Sequence, residues 1–369
     1  MHDMIREMAL WILSEFRDGE RFVVKTDAGL SQLPYDADWT TVTKMSLMNN
    51  GIEGIPDDHE LPNPASLITL FLQKNMLVYI VGRFFQVMST LVVLDLSGNL
   101  NITELPTQIS ELISLRLLNL SGTSIKNFPS GLRVLTKLMH LNLESTLSLQ
   151  SISSISGLLK LQVLRFHASG AALDTSLLME LERLKGLQVL TITVREVNVL
   201  EAFLESKLAG KTQGLYLEGL KLSGASLADI GALDSLHNLE MANCDITEWE
   251  GKRRSDQYSP STSSSEITTS NPWFKNLSAV VLLSCPLVKD LTWLIYAESL
   301  ESLHVESLPK MEKLIKEENV AMSVKPFQNL QALRLHYLDE LRSFYGISFP
   351  KLKQHKVDIT DCRNLHERP

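Results

Sequence analysis

Cysteine is scarce: the 369 residues contain three, Cys244, Cys285 and Cys362, far apart and with no CxxC pair. A disulfide framework or a cysteine-built zinc site is excluded as the organising device, and a reducing compartment fits best. Long apolar runs are also missing. The N-terminal apolar stretch from Met8 to Leu13 is short and flanked by Glu7 and Glu15, unlike a secretory signal. No segment approaches the roughly 20 apolar residues that span a bilayer. The chain therefore reads as soluble and intracellular, which makes the sequons at Asn101, Asn119 and Asn276 plain repeat residues. Concentrated positive charge is lacking too, since the net charge is −8 and the longest basic run is Lys252-Arg253-Arg254. Phosphate binding needs a concentrated basic surface, so a general nucleic-acid binder is excluded.

What is present is apolar material in a fixed rhythm. With 44% hydrophobic and 21% charged residues, the chain lies in the range of folded proteins. It exceeds the roughly 250 to 300 residues at which one compact core stops growing, so two domains or a repeat array are expected. The segments from Leu91 (LVVLDLSGNLNITELP), Leu115 (LRLLNLSGTSIKNFP) and Leu138 (LMHLNLESTLSLQSI) share one frame. It is apolar at positions 1, 4 and 6, small or amide at 9, then apolar near 11 and 14, often with proline next. This is the leucine-rich-repeat consensus LxxLxLxxN/C/T. First positions fall at Val42, Leu67, Leu91, Leu115, Leu138, Leu161, Leu187, Thr212, Leu236, Leu277, Leu300, Leu330 and Leu352. Ten of the twelve intervals are 22 to 26 residues long, which is the period of this repeat class.

The expected fold is accordingly α/β: a leucine-rich-repeat solenoid, or horseshoe, of about thirteen repeats, with a parallel concave sheet, an irregular convex side and a short helical N-terminal cap. Each LxL segment is a short strand whose residues at 1, 4 and 6 point inward, while alternation sends the residues around them outward. Position 9, held by Asn50, Asn75, Asn99, Thr123, Thr146, Cys244 and Cys285, sits where the chain leaves the strand and can bond backbone groups of two coils. Nothing in the spacing supplies a base for a nucleophilic cysteine, so Cys244 and Cys285 read as ladder residues. Cys362 fits the frame only if two residues are inserted before Val357.

Two inserts interrupt the period. Residues 251–272, GKRRSDQYSPSTSSSEITTSNP, have Ile267 as their only strongly apolar residue and read as a flexible loop, with phosphorylation as the sharper alternative. The charged segment MEKLIKEENVAMSVKPF in the repeat from Leu300 reads as a surface helix. At the N-terminus, residues 1 to 20 read as an amphipathic helix and GERFVVKTD as a strand.

The opening MHDMIREMALWI, then FVVKTDAGLSQLP and WTTVTKMSLMNNGIEGIP, resembles the junction between nucleotide-binding and repeat regions in plant disease-resistance proteins of the coiled-coil nucleotide-binding leucine-rich-repeat class. The resemblance covers essentially the whole chain. It implies that Met1, His2 and Asp3 match the tripeptide that ends the winged-helix part of the nucleotide-binding module, where the histidine lies against the phosphates of ADP. Residues 1–30 would then be the remnant of that part, acting as a cap on the repeat domain 31–369. The chain has no GxxxxGK[ST] phosphate loop, so no cofactor is expected here; ADP or ATP would require the rest of such a receptor.

The same resemblance implies intracellular pathogen sensing, by repeats that bind a pathogen effector or a guarded host protein and regulate defence signalling. The alternative is a truncated adaptor or decoy that restrains the nucleotide-binding module of a full-length receptor. The expected place is cytoplasmic, including the inner face of the plasma membrane. From the residues alone, thirteen strands at roughly 4.8 Å give a sheet on the order of 60 Å long, enough for a protein interface. Outward positions proposed for partner binding are Asp95, His140, Glu144, Arg165, His167, Arg195, Tyr216, Glu218, Glu240, His304, Glu306, Arg334 and His336, with Thr191, Thr193, Val281 and Leu283 on the same face. Tyr216, Arg165, Arg334 and His336 are the preferred anchors, because aromatic and arginine residues dominate interface energetics. The nearest approach to a catalytic cluster is Glu306 beside His304 and Arg334 beside His336; neither forms a pocket on an open sheet, so no enzyme and no metal site are expected.

Overall fold

The computed structural model describes residues 21–35, 37–56, 64–246, 273–316, 325–344 and 347–365. The expected N-terminal helix, Met1, His2 and Asp3, and the insert 251–272 lie outside the described residues. Two compact units are present, one reaching Ala171 and including Met179–Val189, the other made of Ala172–Leu178 and the residues from Leu190 on.

The first unit carries strands β1 (Arg21–Val24), β2 (Val42–Ser46), β3 (Gly54–Ile55), β4 (Thr69–Phe71), β5 (Tyr79–Ile80), β6 (Val93–Asp95), β7 (Leu117–Asn119), β8 (His140–Asn142) and β9 (Val163–Arg165). Seven of them pair in parallel in the order β1-β2-β4-β6-β7-β8-β9, and β3 pairs with β5. The repeat frame is the cause. Leu70, Leu94, Leu118, Leu141 and Leu164 lie in register across these strands and are fully buried. Leu67, Leu91, Leu115, Leu138 and Leu161 before them, and Leu72, Leu96, Leu120, Leu143 and Phe166 after them, are equally buried. Each such side chain contributes roughly 1.5–3 kcal/mol by leaving water. β1 extends this ladder, so the segment GERFVVKTD, described from Arg21 on, supplies a coil strand at Arg21–Val24.

Return segments are short. Pro106 and Pro129 stand immediately before the 3₁₀ turns Thr107–Glu111 and Ser130–Val134, a place where a missing N–H costs nothing. Those turns bury Ile109 and Leu132.

The sequence frame is silent on what happens at position 8. In coil after coil that residue has a left-handed backbone: Asn49, Lys74, Gly98, Gly122, Ser145 and Ala168 in the first unit, then Gly219, Asn243, Ser284, Ser307, Tyr337 and Asp361 in the second. The turn takes the chain off the strand and points position 9 inward. There the expected ladder forms. Asn75 Nδ2 donates to the carbonyls of Leu47 and Leu72, both at 2.9 Å, and Asn99 Nδ2 to those of Leu72 and Leu96 at 3.0 and 2.8 Å. Thr123 and Thr146 close their own coils on Leu120 and Leu143 at 2.7 and 2.6 Å, and Ser169 continues the series with a hydroxyl 2.9 Å from that of Thr146.

The second unit carries β10 (Val189–Val194), β11 (Thr212–Glu218), β12 (Lys221–Leu222), β13 (Asn238–Ala242), β14 (Asp245–Ile246), β15 (Ala279–Leu283), β16 (Ser302–Glu306), β17 (Ala332–His336) and β18 (Val357–Thr360). Seven of these pair in parallel in the order β10-β11-β13-β15-β16-β17-β18. Helices replace some 3₁₀ turns. Val197–Glu205 buries Val199, Leu200 and Phe203 on one side, and Gly224–Gly231 starts at Ser223, whose hydroxyl accepts from Ser226 N at 3.1 Å. Later coils enter through aromatics: Trp273 and Phe274 are buried, and Phe274 packs on Trp293 with ring centroids 5.2 Å apart. A Cβ on Gly231 would come within 2.9 Å of the Phe274 ring, so only glycine allows this approach.

The ladder in this unit is sulfur. Cys244 lies 3.5 Å from the Leu217 carbonyl, Cys285 3.7 Å from that of Met241, and Cys362 3.5 Å from that of Leu335. Burial pushes the Cys244 thiol up to about 12. Cys362 thus takes the position that the shifted last coil offers it. The helix expected in the insert after Met311 is not seen in the part described: Met311, Leu314 and Ile315 turn into the core and Lys313 bridges Ser343 as a strand residue would. Three apolar side chains in five residues serve the core better than they would an exposed helix. Residues 317–324 of that insert lie outside the described residues.

Candidate recognition surface

Strand alternation places one residue row over another on the outward face of each unit. In the first unit the register Asp95, Asn119, Asn142, Arg165 runs across β6 to β9. This row is largely committed to itself. Asp95 Oδ1 accepts from Ser97 N at 2.9 Å and Oδ2 from Asn119 Nδ2 at 3.1 Å. Asn119 and Asn142 likewise accept from the backbone two residues on, at 3.1 and 2.9 Å, the local turn for which short amide side chains are suited. Asp95, proposed as a partner residue, is therefore also a strand-end clamp. Arg165 in this row and His140, Glu144 and His167 beside it are all partly exposed. Burial lowers the His167 pKa below its ordinary 6.5, against an upward pull from Glu144, so the ring is neutral.

In the second unit two rows run side by side. One is Thr193, Tyr216, Glu240, Val281, His304, Arg334 and Asp358; the other is Glu218, Ala242, Leu283, Glu306, His336 and Thr360. The sequence frame placed Thr191 and Thr193 outward as available contacts, and this is corrected: both are buried, Thr193 with 0% exposure. The reason is height, because Thr193 stands in register beside the far longer Tyr216.

The rows sort by chemistry. At one end Arg195 Nε donates to Glu218 Oε2 at 2.7 Å, close to Tyr216 and Glu240. The Tyr216 phenol is pushed up to about 12, first by burial and then by Glu218 and Glu240, so it stays a neutral donor; burial also raises the Glu240 carboxyl. In the middle, Val281, Leu283 and Ala242 form an apolar band. At the other end Glu306 Oε2 lies 3.4 Å from His304 Nε2 and 3.9 Å from His336 Nδ1, and Asp358 Oδ2 lies 3.1 Å from His336 Nε2. Burial lowers the His304 pKa, Glu306 pulling it up and His336 and Arg334 pushing it further down. Arg334 is exposed and lines a cleft of about 450 Å³ with Glu301, Ser302, Gln331, Lys356 and Asp358.

Sequence reasoning missed Asp358 and Tyr337. Asp358 belongs to the coil whose frame is shifted by two residues, and shifting the frame would have found it. Tyr337 is 52% exposed, its ring 6.4 Å from that of His336, but it sits at the left-handed position that no consensus letter marks. Among the described residues, no helix is long and apolar enough to cross a membrane.

A leucine-rich repeat region family model matches residues 83–367. Over its whole length the chain is 70% identical to a probable disease resistance protein of Arabidopsis thaliana, covering 44% of it. It is 40% identical to the disease resistance protein RPS5 of the same plant, again over the whole chain and covering 41% of that protein. The chain thus spans less than half the length of these relatives. Among solved structures, the leucine-rich-repeat ectodomain of the Arabidopsis receptor kinase HAESA aligns with 82% of this chain and 49% of its own, at 17% identity and a TM-score of 0.49. The parallel strand ladders, the position 9 hydrogen bonds and the family match agree: the chain belongs to the leucine-rich-repeat family, and its repeats are of the kind found in plant disease resistance proteins.

Proposed function

We propose that this chain is the recognition region of an intracellular plant immune receptor, whose outward strand residues bind a pathogen effector or a guarded host protein and so regulate defence signalling. The observation that carries the reading is the layout of the second unit's rows. An apolar band of Val281 and Leu283 is flanked by Arg195, Tyr216, Glu218 and Glu240 on one side and by His304, Glu306, Arg334 and His336 on the other. An apolar centre with a polar, aromatic and arginine surround is the anatomy of a protein interface. Arg165 and His140 offer further contacts in the first unit.

The role in this reading is binding, carried by the outward rows, and the chain has no phosphate loop of its own to bring a nucleotide to them. A second reading is favoured by one fact, the 44% and 41% coverage of the relatives: the remainder of such a protein is a natural partner, so the same repeats would restrain a nucleotide-binding module. Affinity capture from plant extract separates the readings. The intact chain is compared with a folded Arg165→Glu, Tyr216→Ala, Arg334→Glu variant. Loss of an effector or host target from the variant supports recognition through the strand face. Capture of receptor nucleotide-binding modules in its place supports the second reading, and equal capture by both chains contradicts the face assignment.

A further inference from the structure

Two histidines and a carboxylate meet on the outward face of β16 and β17. His304 and Glu306 are two residues apart on one strand and so share a face, and His336 stands in register with Glu306 on the next strand. The imidazole rings meet edge to face with centroids 5.4 Å apart. One ligand atom from each of the three lies within 4.8 Å of the other two. Glu306 Oε2 is 3.4 Å from His304 Nε2 and 3.9 Å from His336 Nδ1. Two donors on a tetrahedral zinc ion, each about 2.0–2.1 Å from the metal, lie about 3.3 Å apart. The two imidazole–carboxylate distances are near that spacing, and the two imidazoles, whose ligand atoms lie within 4.8 Å, would close on the ion.

The imidazole nitrogens face acceptors and, among the described residues, no donor. His304 Nε2 and His336 Nε2 are buried, with Glu306 Oε2 beside the first and Asp358 Oδ2 beside the second. A carboxylate accepts and does not donate, so the tautomer of His304 with its proton on Nδ1 offers the Nε2 lone pair to a cation. For His336 the nitrogen facing Glu306 is Nδ1, which leaves Nε2 to Asp358 Oδ2 at 3.1 Å. A carboxylate behind the far nitrogen of a ligating histidine fixes its tautomer and raises its basicity, the usual outer partner at such sites.

We propose that His304, Glu306 and His336 bind a divalent first-row cation of the zinc type, with Asp358 orienting His336. Two imidazoles and one carboxylate suit zinc and its neighbours better than calcium or magnesium, which take oxygen ligands. The ligands come from adjacent strands of an open sheet, so the remaining coordination position faces outward, where water or a donor from a partner would complete it. One group opposes the ion: Arg334, in register with both His304 and Asp358. It is exposed and free of the ligand set, so its cost is electrostatic and removable. The proposal is independent of which partner the surface recognises.

Titration of the whole chain with zinc chloride, followed by calorimetry, and with cobalt(II), followed by visible absorption, tests the site. One zinc per chain is expected, with a cobalt spectrum of tetrahedral intensity and no thiolate charge-transfer band. His304→Gln with His336→Gln should weaken binding at least about 100-fold while circular dichroism stays unchanged. Asp358→Asn should cost about 10–100-fold. Arg334→Ala leaves the ligands intact and should tighten binding, a gain that a damaged fold would not give. No stoichiometric uptake, uptake unchanged in the double variant, or a thiolate band pointing to the cysteines would each overturn the assignment.

Discussion

Replacing Asn99 by alanine removes a side chain that three backbone groups depend on. Its amide donates to the carbonyls of Leu72 and Leu96, and its oxygen accepts from Leu77 N at 3.3 Å. Leu72 keeps a second donor, the amide of Asn75 at 2.9 Å. The alanine variant therefore strands two groups, the Leu77 N–H and the Leu96 carbonyl, in a site with no solvent exposure. Each unsatisfied buried group costs roughly 1–3 kcal/mol, so the expected loss is about 3–4 kcal/mol. Asn99→Thr should recover part of it, because Thr123 reaches its own coil's Leu120 carbonyl at 2.7 Å in the equivalent place. That would satisfy Leu96 but not Leu77, for a loss of about 2 kcal/mol. Urea unfolding read by circular dichroism gives the two losses, and hydrogen exchange at the Leu77 amide reports the local one. A cost below about 1 kcal/mol for alanine, or threonine no better than alanine, would mean that Asn99 does not hold the Leu77 and Leu96 backbone groups in this way.

Three further outcomes follow from the same structure. Ser145 has a left-handed backbone and an exposed side chain, so Ser145→Gly should stabilise by about 0.5 kcal/mol, backbone relief exceeding the entropy of glycine, whereas β-branched Ser145→Val should destabilise. Thermal melts of the two variants should move in opposite directions. Because burial holds the His167 pKa below 6.5, the unfolded chain takes up a proton that the folded ring refuses. Its contribution to stability is full above that pH and is lost as pH falls through the lower folded value. His167→Gln should flatten the melting temperature between about pH 7 and pH 5. The Cys244 thiol, buried and pushed up to about 12, should resist alkylation until the chain unfolds, while the more accessible Cys362 is labelled first in peptide mass spectrometry.

The strand ladder was legible because it rests on side-chain type. Leucine must recur where Leu94, Leu118 and Leu141 stack in register, and that recurrence is visible as a period. The same holds for Asn75, Asn99 and Cys244, whose shared duty is to cap carbonyls. The left-handed position 8 was not legible, since residues as different as Lys74, Gly98 and Ala168 occupy it and the constraint is on the backbone. On the outward face, alternation assigned side but not height, which is why Thr193 was placed in reach when Tyr216 overshadows it. The frame also brought Glu306 beside His304 and Arg334 beside His336 and read no metal site there. The register of β17 and β18 adds how close these side chains stand and supplies Asp358, 52 residues after Glu306.

Recognition through the outward strand rows predicts how the dissociation constant of a purified captured partner responds to matched single variants. Tyr216→Ala and Arg334→Glu lie in the rows; Arg133→Glu lies on an exposed 3₁₀ turn of the first unit and in no strand row. A weakening of about tenfold or more, roughly 1.4 kcal/mol, is expected for each of the first two and none for Arg133→Glu. Binding that Arg133→Glu weakens, and that Tyr216→Ala and Arg334→Glu leave unchanged, would contradict the account and move the recognition surface to the return side of the coils.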